Sequence, residues 1–143
     1  SEDVLKFPLQ DCKGQFTTIA DKEGWILIDF WQFGCKPCYE VFRQLGCQID
    51  SIGQSVLEKN GVTILAIIPF SDNLERINQV EDKFRVPNLL YAGKGMTTKL
   101  AIYSYPSYFL ISPNKEVVKQ GNHFTDKELL EAIKEYNKKN KQK

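Results

Sequence analysis

The chain has 143 residues, of which 42% are hydrophobic and 26% are charged, and its formal net charge is +1. This length suits about one domain with a sizeable core, and the composition is that of a globular protein rather than a disordered or fibrous one. The near-neutral charge offers no electrostatic basis for binding nucleic acid. The longest apolar run, residues 62–70, is much shorter than the ~20 residues that a membrane-spanning helix needs, so we expect no transmembrane segment.

The start of the chain combines a short lead-in with one very apolar segment. Residues 1–24 predict an N-terminal extension or hairpin, with a turn at Lys13-Gly14 and a strand within residues 15–19. Residues 25–31 (WILIDFW) are almost entirely apolar, as expected for a strand buried on both faces of a sheet. Asp29 interrupts this run, and desolvation there should raise the pKa of its carboxyl toward the range in which it exchanges protons near neutral pH. The alternative is a structural aspartate that is hydrogen-bonded to the backbone.

Two cysteines separated only by Lys36 and Pro37 follow this strand. Pro37 suits the first turn of a helix, where its missing N–H would have no partner. Apolar residues then recur at helical spacing as far as Gly61, and Cys38 lies on the same stripe, whereas Cys47 faces away. Two intervening residues at a helix start can place the two Cα atoms within the ~4.4–6.8 Å that a disulfide requires.

The two cysteines of this motif have different predicted environments. Cys35 lies at the N-terminal edge of the helix, where unpaired N–H groups and the positive end of the helix dipole favour the thiolate. We therefore expect Cys35 to be the nucleophile and Cys38, one turn inside the helix, to resolve the mixed disulfide. Lys36 adds a cation that should lower the pKa of Cys35 further, although water screens the charge of an exposed lysine.

The rest of the chain alternates strands and helices. Residues 62–68 (VTILAII) predict a second buried strand, and a capping box of Thr125 and Glu128 predicts the start of the last helix. Successive strand, helix and strand predict a parallel pair, and a later hairpin adds antiparallel strands. We therefore predict a single α/β domain over residues 1–143, with a central mixed sheet flanked by helices and a solvated tail at 138–143. The remaining predicted elements are a helix over 74–84 capped by Ser71 or Asp72, a strand at 89–91, a helix at 96–103, and strands at 107–111 and 116–119.

Two segments of the chain resemble a known family. The order Asp29-Phe30-Trp31-x-x-x-Cys35-x-Pro37-Cys38, followed by an amphipathic helix, resembles the thioredoxin superfamily. Tyr105-Pro106 before the strand at 107–111 resembles that family's cis-proline loop, and residues 60–103 are most similar to its TlpA/ResA branch. The resemblance implies a thioredoxin-like fold, a cis Tyr105–Pro106 bond, and Asp29 as the group that exchanges the proton of the Cys38 thiol.

The resemblance also implies a docking surface beside the cysteines. A cis Pro106 would expose the backbone of Tyr105, on which an extended substrate segment can pair as an extra strand. Trp31 and Phe33 would flank the site as apolar docking residues, and core packing is the alternative for both. The predicted substrate-binding residues are Pro106, Tyr105, Trp31, Phe33, Lys36 and Pro37.

These features predict a thiol–disulfide oxidoreductase that cycles between dithiol and disulfide, with no other cofactor and no metal. The resemblance implies a monomeric reductase of protein disulfides that serves redox homeostasis. It also implies a periplasmic or other extracytoplasmic location and recharging by a membrane-bound thiol donor, although the chain shows no signal peptide.

Several alternatives remain open from the sequence. The direction could be reversed, as in a disulfide oxidase or an isomerase, or the chain could be a thioredoxin-fold binding domain without catalysis. A zinc site would need two more ligands beside Cys35 and Cys38, drawn from Cys12, Cys47 and His123 at unfavourable spacing. Cys12 and Cys47 either pair or remain free thiols, because sequence does not fix disulfide connectivity.

Overall fold

The computed structural model describes residues 2–47, 56–69, 73–84, 88–92, 96, 102 and 104–141. The strands in this part of the chain are β1 (Leu9–Asp11), β2 (Phe16–Thr17), β3 (Trp25–Phe30), β4 (Val62–Ile68), β5 (Leu89–Ala92), β6 (Ser107–Ile111) and β7 (Val117–Gly121). The helices with described bounds are α1 (Glu2–Leu5), α2 (Lys36–Cys47), α3 (Val56–Lys59), α4 (Leu74–Phe84) and α5 (Asp126–Asn140).

The strands form one mixed sheet in the order β2-β1-β5-β4-β3-β6-β7. The central strands β3, β4 and β5 are parallel, whereas β6 runs antiparallel to β3 and β7 runs antiparallel to β6. The β1–β2 hairpin extends the sheet beyond β5, with β1 antiparallel to β5. The predicted α/β class, with a central mixed sheet flanked by helices, is therefore confirmed.

The two faces of β3 pack against different parts of the molecule. Every residue of this strand is buried. Its even-numbered residues pack in one apolar cluster with the N-terminal segment. Trp25 and Leu27 pack on the opposite face with residues of α3 and α5. Because side chains alternate along a strand, Asp29 lies on this second face, beneath the helices.

Several boundaries differ from the sequence-based ones. β2 is limited to Phe16–Thr17, and β7 begins and ends later than predicted, at Val117–Gly121. The cap of α4 was wrongly predicted: the Asn73 side chain accepts a hydrogen bond from the Arg76 N–H at 3.2 Å. Residues 71–72, the predicted caps, lie outside the described residues, as do residues 48–55 of the predicted long helix and most of the predicted helix at 96–103. Helix α5 includes the exposed residues 138–140 of the predicted solvated tail.

The start of α5 matches the predicted cap. Thr125 has extended backbone dihedrals, and its side-chain oxygen accepts a hydrogen bond from the Glu128 N–H at 3.1 Å. Phe124 and Leu129, which flank the cap, belong to the same apolar cluster. The cap satisfies one of the N–H groups that a helix start leaves without an intrahelical partner.

Replacing Thr125 with alanine removes this acceptor. We expect the free energy of unfolding to fall by about 1 kcal/mol, which urea denaturation followed by circular dichroism can measure. Thr125→Ser keeps the oxygen and should remain close to the unmodified protein. An equal loss in both variants would contradict the capping role and assign the effect to the threonine methyl group.

Candidate active site

The CxxC motif forms a disulfide at the start of α2. Cys35 and Cys38 are bonded, and their Cα atoms are 5.3 Å apart. The Cys35 carbonyl accepts the Tyr39 N–H at 3.2 Å, so Cys35 occupies the N-cap position of the helix. Its Sγ accepts the Cys38 N–H at 3.3 Å. An N–H group and a helix N-terminus directed at this sulfur favour negative charge on it once the disulfide opens.

The two cysteines differ in their access to solvent. Cys35 is half-buried, whereas Cys38 is fully buried, with 0% exposure. Lys36 and Pro37, between them, are both exposed. A molecule in solution can therefore approach Cys35 but not Cys38.

Aromatic side chains pack in the same cluster as the two cysteines of the motif. Trp31 is 0% exposed and packs edge-on against the half-buried Phe33, with ring centroids 5.3 Å apart. Trp31 therefore packs in the core, which was the alternative, and the prediction that it forms part of the docking surface is wrong. Tyr39 accepts the Gly34 N–H at 3.0 Å, and Gly34 has a φ of +74°, which favours glycine in this turn.

Arg76 is a neighbour of the site that sequence reasoning missed. Its guanidinium lies 4.2 Å from the centroid of the Phe33 ring, which is a cation–π geometry. Arg76 belongs to α4, far from the motif in sequence, and no local pattern predicts that this helix crosses beside Phe33.

The Tyr105–Pro106 peptide bond is cis, as the resemblance implied. Tyr105 is half-buried and packs against the cluster that contains Cys38. Burial raises the pKa of Tyr105, and the nearby Gln32 side chain acts in the opposite direction. The Asn122 side chain donates to the Pro106 carbonyl at 2.8 Å, and this tether was also not foreseen from the sequence.

Asp29 lies in the sheet under this cluster. It is 1% exposed and pairs with Ala66 on β4 and with Tyr108 on β6. Ala66 belongs to the same packed cluster as Cys38. Burial raises the pKa of the Asp29 carboxyl well above its usual value. Neither carboxyl oxygen has a hydrogen-bond partner among the described residues, which counts against the alternative of a hydrogen-bonded structural aspartate.

A cavity of about 590 Å³ lies beside Asp29, between the sheet and the first turn of α5. Its walls are mostly apolar, and polar residues of the β7–α5 loop and α5 lie along it. No sequence pattern predicts this cavity, because it depends on how α2, α3 and α5 pack. The described lining residues are Leu27, Asp29, Val41, Leu57, Ile64, Tyr108, His123, Phe124, Thr125, Asp126, Lys127 and Leu129.

Cys12 carries a free thiol away from the CxxC motif. Burial raises its pKa to about 12, and a hydrogen bond with Glu81 and the charges of Glu81, Asp11 and Asp82 act in the same direction. It is therefore a neutral thiol at physiological pH, unlike the thiolate expected for Cys35. The pairing of Cys12 with Cys47 that the sequence left open is not formed, and the Cys47 side chain lies outside the described residues.

Neither a metal-binding group of side chains nor a membrane-spanning helix is present in the described part of the chain. There, no three His, Cys, Asp or Glu side chains are grouped closely enough to hold a metal ion. None of the helices in the same ranges is both long and apolar enough to cross a membrane.

Comparison with known proteins identifies the fold. No protein-family model and no curated protein matches the chain. Among solved structures, a thioredoxin-like protein from Aeropyrum pernix matches with a TM-score of 0.69 and 15% identity, over 94% of this chain and 91% of that chain. The chain has a thioredoxin-like fold.

Two other similar structures belong to proteins described as redox-active. A secreted Mycobacterium tuberculosis disulfide oxidoreductase homologous to E. coli DsbE has a TM-score of 0.69 and 14% identity, over 94% of this chain and 99% of that chain. A thiol:disulfide interchange protein from Bacteroides sp. has a TM-score of 0.69 and 19% identity, over 91% of this chain and 86% of that chain. The thioredoxin-like fold expected from the two sequence segments is thus confirmed.

The buried acid of this thioredoxin-like fold predicts a pH-dependent stability. Because burial raises the pKa of Asp29 above its unfolded value of about 4, the folded state holds the proton more tightly than the unfolded state. This contribution to stability is fully present below about pH 4 and is lost as pH rises through the folded-state pKa. Asp29→Asn should therefore gain stability relative to the unmodified protein as pH rises, by about 1.4 kcal/mol per unit of pKa shift.

Urea denaturation of the disulfide-bonded protein at successive pH values measures this difference. Asp21→Asn, at an exposed site, is the matched control and should leave the pH dependence unchanged. A constant difference between Asp29→Asn and the unmodified protein over this range would show that Asp29 has an ordinary pKa.

Proposed function

We propose that the protein is a thiol–disulfide oxidoreductase that acts on protein disulfides through Cys35 and Cys38. The observation that carries the proposal is the unequal environment of the two bonded cysteines. Cys35 is accessible and receives a helix N–H on its sulfur, whereas Cys38 is fully buried behind it. A structural disulfide needs neither the accessible sulfur nor this asymmetry, while exchange with a substrate needs both.

In the reducing direction, the Cys35 thiolate attacks one sulfur of a substrate disulfide. The substrate S–S bond breaks, a mixed disulfide forms, and one substrate thiolate leaves. The Cys38 thiol then loses its proton, and the resulting thiolate attacks the Cys35 sulfur. This step forms the Cys35–Cys38 disulfide and releases the second substrate thiolate, so two electrons pass from the chain to the substrate.

Asp29 is proposed as the acceptor of the Cys38 proton. Its position supports this role, because Asp29 pairs with Ala66 and Ala66 belongs to the cluster that contains Cys38. Its raised pKa supports it too, since a general base is most effective when its pKa is near the working pH. In the oxidising direction, the same carboxyl would return the proton to Cys38.

Substrate docking is proposed on the surface around Cys35. Phe33, Lys36 and Pro37 lie next to Cys35 in sequence and are exposed or half-buried. Tyr105 packs against the cluster of the disulfide, and we assign its backbone and Pro106 to pairing with an extended substrate segment. Arg76 joins this surface through its contact with Phe33.

Reduction of protein disulfides is the proposed direction, because the TlpA/ResA resemblance implies it, and oxidation is the second candidate. One observation favours oxidation: the N–H on the Cys35 sulfur and the exposed Lys36 both stabilise the thiolate, and a stabilised reduced form makes the disulfide a stronger oxidant. An extracytoplasmic site of action, in the periplasm or its equivalent, and a membrane-bound thiol donor belong to the same proposal. The extracytoplasmic location is supported by similarity to a protein described as secreted, and the membrane-bound donor is what the TlpA/ResA resemblance implies.

Variants of the two cysteines test the exchange chemistry. We expect Cys35→Ser to abolish the reduction of insulin disulfides with dithiothreitol as donor, because the attacking thiolate is lost. Cys38→Ser should instead accumulate a mixed disulfide with the substrate, visible on a non-reducing gel. Cys12→Ser, which removes a thiol outside the motif, is the control and should retain activity. Full activity in Cys35→Ser would overturn the assignment of Cys35 as the nucleophile, and no activity in the unmodified protein would leave a non-catalytic binding domain.

The reduction potential of the Cys35–Cys38 pair decides the direction. Equilibration in graded thiol–disulfide buffers, followed by trapping of free thiols, measures it. We expect a value near the thioredoxin range of about −270 mV, as befits a reductase whose disulfide must be recharged. A value near about −120 mV would overturn the reductase assignment in favour of an oxidase.

A further inference from the structure

The cavity between the sheet and the first turn of α5 is lined by two buried side chains that carry oxygen atoms, Asp29 and Tyr108. They pair across the antiparallel β3–β6 ladder, where Leu27 pairs with Leu110 in the next position on the same face. Directly opposed residues on such a ladder have Cβ atoms about 4.5–5.5 Å apart. Asp29 is 1% exposed and Tyr108 is 7% exposed, so both groups are almost fully removed from solvent.

Neither side chain is committed to another protein group. The Asp29 carboxyl oxygens and the Tyr108 hydroxyl have no hydrogen-bond partner within the described ranges. Both residues line the same cavity of about 590 Å³. The cavity gives the phenol and the carboxyl room to approach each other, or to be bridged by a water molecule with polar partners on both sides.

The other groups around Asp29 are less suited to be its partner. Its sheet neighbour on β4 is Ala66, which is apolar, and from α2 the nearby titratable group is Cys38, which is oxidised in the disulfide. The β7–α5 loop and α5 contribute three titratable residues to the cavity lining, of which the first and last are exposed: His123, Asp126 and Lys127. Within the described part of the chain, Tyr108 is thus the buried donor that lies next to Asp29 in the sheet.

We propose that Tyr108 is a positioning residue for Asp29: its hydroxyl donates a hydrogen bond, directly or through one water molecule, to the Asp29 carboxylate. The bond forms when the acid has released its proton and holds the charged form in a site that otherwise offers it no partner. Tyr108 acts through Asp29 and does not touch the substrate or the sulfur atoms.

The physical consequence is control over when Asp29 can accept a proton. Burial alone penalises the carboxylate, whereas a hydrogen bond to the charged form stabilises it and brings the pKa back toward the working pH. Tyr108 can serve as the donor because its own pKa is raised, first by burial and then by the charge of Asp29, so the phenol stays protonated. A neutral hydroxyl at this position offers the donor without adding a charge to the core.

This inference rests on the proposed function only in its last step, the transfer of a proton from Cys38. In that step the Cys38 S–H bond breaks, the proton binds an Asp29 oxygen, and the Cys38 thiolate forms. The carboxylate must be present beforehand, so the hydrogen bond from Tyr108 sets the fraction of molecules that can react at a given pH. The hydrogen bond itself can be tested without any catalytic assay.

Tyr108→Phe removes the hydroxyl and keeps the ring. In the disulfide-bonded protein, where Cys38 does not titrate, the carboxyl carbon signal of Asp29 can be followed by NMR as a function of pH. We expect the pKa of Asp29 to rise by about one to two units, because a hydrogen bond to a charged group is lost. An unchanged pKa in a folded Tyr108→Phe protein would overturn the proposal.

A tyrosine outside the cavity provides the control. The hydroxyl of Tyr136 on α5 donates to Glu116 at 3.2 Å and does not line the cavity within the described residues. Tyr136→Phe should leave the Asp29 titration unchanged. A general loosening of the fold would shift the titration in both variants, whereas loss of the specific donor shifts it only in Tyr108→Phe.

The kinetic readout separates this proposal from the proposed function. Decay of a preformed mixed disulfide on Cys35, measured against pH, reports the resolving step. We expect its pH profile in Tyr108→Phe to move up by the same number of units as the Asp29 pKa, with a tenfold loss of rate per unit on the acidic limb. If the pKa shifts but the profile does not, the hydrogen bond stands and the proton relay of Asp29 falls.

A reciprocal measurement covers the case in which Tyr108→Phe does not fold. In the unmodified protein, the ring carbon that bears the Tyr108 hydroxyl should change its chemical shift with the same pKa as Asp29. Asp29→Asn should abolish that titration. A Tyr108 signal that is independent of pH in the unmodified protein would overturn the proposal as clearly as the first experiment.

Discussion

The desolvation of one carboxyl group constrains the rest of this molecule. Asp29 is 1% exposed in a strand whose residues are all buried, so its charged form has almost no access to water. An unpaired buried carboxylate is costly enough that the group takes up a proton instead. In the sheet, the Asp29 carboxyl lies between β4 and β6, on the face that α2 covers. The proposed transfer of the Cys38 proton to this group therefore requires that its charged form be stabilised, because the carboxyl accepts a proton only after it has released its own.

The two cysteines obtain different properties from a single local feature, the start of α2. At the N-cap, Cys35 receives the Cys38 N–H and lies in the positive end of the helix dipole. One turn later, Cys38 is 0% exposed, where burial disfavours its thiolate. Cys12 shows how much the environment matters, because burial and neighbouring acids raise its pKa to about 12. Residue type alone therefore says little about thiol reactivity, while position on a helix and the sign of nearby charges say a great deal.

What could be predicted from the sequence was local. The strands at Trp25–Phe30 and Val62–Ile68, the helix start after Cys35 and the Thr125 cap each follow from a short run of residues. The missed features join segments that are distant in sequence: Arg76 on Phe33, Asn122 on Pro106, and Tyr108 opposite Asp29. These depend on strand register and helix packing, which a one-residue shift would change completely. Trp31 was ambiguous for the same reason, since its sequence context fits a core residue and a surface residue equally well.

The proposed transfer of the Cys38 proton to Asp29 also couples redox state to protonation. While the disulfide is closed, Cys38 carries no ionisable proton. The Asp29 carboxyl then gains or loses its proton without any change of charge on Cys38. When the disulfide opens, a buried thiol lies in the same cluster as Ala66, the sheet neighbour of the buried Asp29 carboxyl, and ionisation of either group then opposes ionisation of the other. The two groups then release their protons in linked steps that belong to the pair. A buried acid beneath a CxxC motif therefore makes the reduction potential depend on pH through the pair, and a neutral donor such as Tyr108 is a means of adjusting that dependence without placing a further charge in the core.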